Sequence, residues 1–124
     1  MRYKIYIIIG LILGLLVGGI AGFELSKSSL KGLSLGYVGK AHEYRQKNNY
    51  LKAMAYFNRA IALDPNSFMA RISLPKTYSL AGYYDIAIEE YEATLEIALA
   101  EKWDDKEINR IKLEMEEIKK RLNK

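Results

Sequence analysis

The chain has 124 residues, no cysteine and a formal charge of +4. That length leaves room for one domain and an appendage, and the lack of cysteine excludes disulfides, thiolate metal sites, a cysteine nucleophile and an acylated lipoprotein cysteine. Much of the positive excess lies in Arg2, Lys4, Lys27 and Lys31, beside an apolar run, so it gives little reason to expect a nucleic-acid partner.

Residues 1–23 read as a transmembrane anchor. From Ile5 to Phe23 there are 19 residues without a charge, mostly Ile, Leu, Gly and Val. As a helix they span about 28 Å, close to the thickness of a bilayer's hydrocarbon core. Tyr3, Tyr6 and Phe23 stand near the two ends, where such rings favour the interface. A cleaved leader is the competing reading: its apolar region is shorter, about 7–15 residues, but Gly19-Ile20-Ala21 fits a small-x-small cleavage site. Arg2, Lys4 and the terminal amine lean towards a cytoplasmic N-terminus, which puts the rest of this single-pass chain on the extracytoplasmic side. Gly10, Gly14, Gly18 and Gly22 recur at every fourth residue. Such a stripe lets two helix backbones approach closely, so these four are candidates for a helix–helix contact within the bilayer and for a homo-oligomer.

Residues 24–33 read as a juxtamembrane linker, or as a helix leaving the bilayer and breaking at Gly32 or Gly36. After it the chain repeats with a period of 34, residues 34–67 over 68–101. Tyr44 meets Tyr78, Tyr50 meets Tyr84, Ala53 meets Ala87, Phe57 meets Tyr91, and Asn48 meets Gly82. A 34-residue period suits two helices and a turn, stacked so that each unit buries its neighbour's apolar face. Asn48 and Gly82 fall where the helices of each hairpin should turn, and both residue types tolerate a left-handed backbone. Asp64-Pro65 should end the second helix.

Tyr37, Ala41, Tyr44, Ala53, Phe57, Ala60 and Pro65 stand at the spacings of the tetratricopeptide repeat family, and the strings NNYLKAMAYFNRAIALDPN and AGYYDIAIEEYEATLEI resemble its second helices. The resemblance covers residues 34–101 and implies an all-α hairpin array that binds other proteins. Two features depart from the pattern. Pro75 stands where the first repeat has Ala41, in mid-helix, which predicts a kink, a bend or a shortened helix. Lys40 and Arg71 replace apolar or aromatic residues.

Residues 102–124 predict a last helix. Asp104 or Asp105 can cap it, and Ile108, Ile111, Met115, Ile118 and Leu122 form one apolar stripe. The stripe suits a helix capping the second repeat; a short coiled-coil contact with a partner is the alternative.

No catalytic constellation is visible, and no enzyme activity, cofactor or metal is expected. His42 is the only histidine, and the glycines lack the Lys-Ser/Thr ending of a phosphate loop. The resemblance implies a concave groove lined by the first helix of each hairpin. Here that helix offers Leu35, Val38, His42, Arg45, Met69, Ile72, Lys76 and Ser79. Val38, His42 and Ser73 stand where some relatives use Lys or Asn to clamp a peptide's terminal carboxylate, so that mode is not expected. Charge is segregated: residues 34–67 carry +3, residues 68–101 carry −4 and residues 102–124 carry +2. The layout resembles the single-span repeat proteins of bacterial envelopes. The function expected is a membrane-anchored protein–protein adaptor or scaffold at the bilayer; the alternative is a structural protein self-assembling through its glycine stripe.

Overall fold

A computed structural model describes residues 27–124. The expected anchor, its glycine stripe Gly10, Gly14, Gly18 and Gly22, and the candidate cleavage site lie outside the described residues. Among the described residues no helix is long and apolar enough to cross a membrane. The chain divides into units 1–32 and 33–124, and the second holds the hairpin array.

The described residues are all helical or turn. Helix α1 is seen over residues 27–46, followed by α2 (Tyr50–Leu63), α3 (Phe68–Leu80), α4 (Tyr84–Ala100) and α5 (Asp105–Leu122). The expected break at Gly32 or Gly36 does not occur. Each glycine costs a helix only about 1 kcal/mol, and no proline follows to end it. A Cβ at Gly32, Gly36 or Gly39 would meet nothing within 4 Å, so close packing does not require them.

The turns within the hairpins follow the sequence. Asn48 (φ 57°) and Gly82 (φ 89°) both take the left-handed conformation, one period apart. Asn49 and Ser67 then cap α2 and α3, their side chains accepting the backbone N–H groups of Lys52 and Ala70. Asp104 caps α5 by accepting from the Lys106 N–H at 3.1 Å. Lys102 (φ 53°) takes the same left-handed conformation before α5, where a glycine, lacking Cβ, would be at less cost.

Helices pack in chain order, each on the next. One core cluster joins Val38 and Ala41 of α1 to Ala53, Met54, Phe57 and Ala60 of α2 and to Ala70 and Leu74 of α3. A second joins Ile72 to Ala87, Tyr91 and Ala98 of α4 and to Ile108, Ile111, Met115 and Ile118 of α5. The apolar stripe of α5 is therefore covered by the same chain, apart from Leu122 at the helix end, and leaves no coiled-coil seam. Trp103 closes the corner, edge-on to Phe68 with ring centroids 5.0 Å apart.

Pro75 does not shorten α3, which runs unbroken through it. The missing N–H leaves the Arg71 carbonyl, four residues back, without its helical donor. Thr94 Oγ1 on α4 faces it at 3.0 Å and shares its single proton between that carbonyl and the Glu90 carbonyl, 2.8 Å away. Arg71 itself turns outward and donates from Nε to the Pro65 carbonyl at 2.8 Å, which explains a guanidinium at an aromatic position. Lys40, the other departure, lies over the Tyr56 ring at 5.9 Å.

Candidate groove across three helices

The first helices of the two repeats and α5 converge on a recess of about 210 Å³. His42 and Arg45 come from α1, Phe68, Met69, Ile72, Ser73 and Lys76 from α3, and Arg110 from α5. His42, Lys76 and Arg110 are successively 34 residues apart in the chain. The 34-residue step thus continues from α3 onto α5. A second recess of about 300 Å³ begins on the far side of Lys76 and is lined by Ser79, Tyr91, Glu114 and Ile118 among others.

Five candidate residues, His42, Arg45, Met69, Ile72 and Lys76, share the first recess, and Ser79 lines the second. Val38 lines neither. It is only 2 % exposed and packs in the first core cluster, because its place on α1 faces α2. Ile72, its counterpart one period on, is 5 % exposed and forms floor rather than rim. Leu35 is exposed but outside both recesses. Arg110 and Glu114 were missed as lining residues because the concave face was assigned only to the two recognised repeats; Phe68, at the very start of α3, was missed although it lies within the second of them. One more step of the 34-residue period, from Lys76 to Arg110, is the signal that finds α5.

The polar groups of the groove hold one another. Glu114 accepts from the Tyr91 hydroxyl on one oxygen and from Arg110 Nε on the other, at 3.2 Å. Lys76 Nζ approaches that second oxygen at 4.0 Å. Burial raises the Tyr91 phenol above its ordinary pKa, and the bond to the Glu114 carboxylate raises it further, so Tyr91 remains a donor. Arg45 Nη2 lies 2.9 Å from His42 Nδ1, a bond that requires that ring nitrogen to carry no proton. Burial first, then the Arg45 charge, lowers the pKa of His42, which favours the neutral ring. His42 sits edge-on to Phe57, with centroids 5.2 Å apart. The Arg45 guanidinium lies 5.9 Å from the same ring, and its Nη1 is buried without a hydrogen-bond partner.

Nothing in this arrangement joins a nucleophile to a base. Among the described residues no group of three His, Cys, Asp or Glu side chains is placed to hold a metal ion. What the groove offers is apolar contact from Phe68, Met69 and Ile72 beside the cationic side chains of Arg45, Lys76 and Arg110.

Residues 34–67 match the tetratricopeptide repeat family model. Among solved structures, the tetratricopeptide repeat domain protein from Salinibacter ruber is similar in fold, with a TM-score of 0.61 and 22 % identity, covering 69 % of this chain and 94 % of that one. A search of curated proteins returns no match. Residues 34–67 thus match one tetratricopeptide repeat in sequence, and the array as a whole has the fold of a tetratricopeptide repeat domain.

Proposed function

We propose that the chain is a membrane-anchored adaptor whose groove holds a segment of a partner protein and so assembles a complex at the bilayer. The observation that carries this reading is the convergence of α1, α3 and α5 on one open recess with apolar and cationic walls. Tetratricopeptide repeats are protein–protein interaction modules, and this recess is the concave surface such a module presents. The anchor rests on the uncharged run from Ile5 to Phe23. An anchor confines the groove to two dimensions and raises its effective concentration beside membrane partners. The repeat unit is proposed to lie on the extracytoplasmic side, following the Arg2 and Lys4 flank.

The test is affinity capture of C-terminally tagged full-length protein from membranes in mild detergent, beside an Arg45→Glu/Lys76→Glu variant. A distinct partner recovered with the wild type and lost with the variant supports the adaptor. Recovery of the chain alone, unchanged by the variant, overturns it in favour of a self-assembling structural protein. That second reading draws on the four glycines at four-residue spacing, and Gly14→Leu/Gly18→Leu should then abolish self-association. The anchor has its own check: a mature protein shorter by about the first twenty residues, read by intact mass, would replace the membrane adaptor with a secreted binding protein.

A further inference from the structure

The ligand class of the groove can be read from its charges. We propose that the groove selects an acidic peptide segment, seating a side-chain carboxylate on the outward-facing donors of Lys76 and Arg110 while a neighbouring apolar side chain packs on Phe68 and Met69. This rests on the groove reading above and adds what the groove selects.

Arg45, Lys76 and Arg110 line this recess with formal positive charges and no carboxylate lines it, while Glu114 beside it pairs with Lys76 and Arg110. His42, at the same repeat position as Lys76 and Arg110, stays neutral while it accepts from Arg45 and so does not add to the repulsion between cations. Lys76 and Arg110 approach the same oxygen of Glu114, at 4.0 Å and 3.2 Å. The Glu114 carboxylate itself lies between them, so an incoming carboxylate would meet their outward-facing donors. Glu114 leaves both with donors to spare: it takes only Nε of Arg110, and the Lys76 contact is longer than a hydrogen bond. Both side chains are about half exposed, so these donors face water in the free protein. The Tyr91 hydroxyl and Arg110 hold Glu114 from opposite oxygens, which keeps this internal anion in place. One further carboxylate would still leave the cluster without excess negative charge.

The apolar side of the recess sets the second requirement. Met69 is 48 % exposed, and a flexible thioether adapts to different apolar partners. No Asn or Gln lines this recess to hold the amide of a chain terminus, so an internal Asp or Glu suits it better than a terminal carboxylate.

The experiment uses the full chain in mild detergent and a library of random linear peptides displayed on phage. Selection is run in parallel on the wild type, Lys76→Glu/Arg110→Glu, Lys40→Glu/Lys52→Glu and Met69→Ala, each confirmed helical by circular dichroism. Peptides enriched on the wild type should pair Asp or Glu with an apolar residue at a fixed spacing, and should still bind when C-terminally amidated. Their affinity should fall about tenfold or more with Lys76→Glu/Arg110→Glu and weaken with added salt. It should hold with Lys40→Glu/Lys52→Glu, which makes the same change in net charge on another face. Enriched peptides without acidic residues, an affinity untouched by Lys76→Glu/Arg110→Glu, or binding lost on amidation would each overturn the ligand class. If Met69→Ala still weakened those peptides, the groove reading would stand. Peptides indifferent to all three variants, or no enriched peptides, would overturn both. A homopolymeric single-stranded oligonucleotide that binds and displaces the peptides would likewise replace the acidic peptide with a nucleic acid.

Discussion

In the first repeat the close-packing positions are Ala41 and Ala60, with Phe57 beside them, all fully buried in one apolar cluster. The second repeat places Pro75, Thr94 and Tyr91 at the same steps of the 34-residue period, equally buried. The hairpin is the same and its interior chemistry is not. One hydrogen bond crosses between helices in the first repeat, from Ser34 Oγ on α1 to the Ala60 carbonyl of α2 at 2.8 Å. In the second it runs the other way, from Thr94 on α4 to the Arg71 carbonyl that Pro75 leaves open on α3. Tyr91 carries its hydroxyl through the core to Glu114, where Phe57 carries none. The comparison teaches that a proline inside a packed helix is tolerated when the neighbouring helix supplies the lost donor. It also shows that the second repeat ties its core to the groove through Tyr91.

Six substitutions test this contrast, and the largest effect belongs to the apolar repeat. Phe57→Ala should destabilise the array by about 3–5 kcal/mol, read by denaturant unfolding, since it removes a fully buried ring. A loss below about 1 kcal/mol would mean that the first repeat does not hold the array together. Thr94→Val should cost about 1–3 kcal/mol by leaving the Arg71 carbonyl unsatisfied. Combined with Pro75→Ala, which restores the N–H, it should cost clearly less, and simple additivity of the two changes would break the coupling. Tyr91→Phe makes the second repeat resemble the first and should cost about 1.5 kcal/mol, by removing a hydrogen bond to a partly solvated carboxylate. Gly36→Ala and Gly39→Ala should each stabilise the fold by about 0.4–1 kcal/mol, because both sites are helical with space for a Cβ.

A smaller effect depends on pH and belongs to the first repeat alone, since Lys76 replaces the histidine in the second. The pKa of His42 is lowered on folding from its ordinary 6.5, so the folded protein holds fewer protons at this ring than the unfolded chain. Its contribution is present above about pH 6.5 and is lost as pH falls below that value towards the lower folded pKa. The melting temperature of the wild type should therefore drop more between pH 7 and pH 5 than that of His42→Gln. Equal drops would remove His42 as the cause.

The hairpins themselves were legible in the sequence. The matched pairs Tyr44–Tyr78 and Ala53–Ala87 gave the period, and Asn48 and Gly82 gave the turns. The apolar spacing of Ile108, Ile111, Met115 and Ile118 gave the covered face of α5. Of the groove, His42, Arg45, Met69, Ile72 and Lys76 were legible from the resemblance, which names the concave helices. Val38 shows where that reading stops: a residue on the right helix can still face inward.

By itself the sequence determined the helices, their turns and the 34-residue repeat, because these follow from the local spacing of apolar, small and turn-forming residues. Only the tertiary structure decided that Pro75 sits in an intact helix, that α5 forms the third wall of the groove, and that Glu114 stands among Lys76, Arg110 and Tyr91. Each of these depends on a side chain some twenty or more residues away in the chain, and no local pattern encodes which distant donor will meet an orphaned carbonyl or carboxylate.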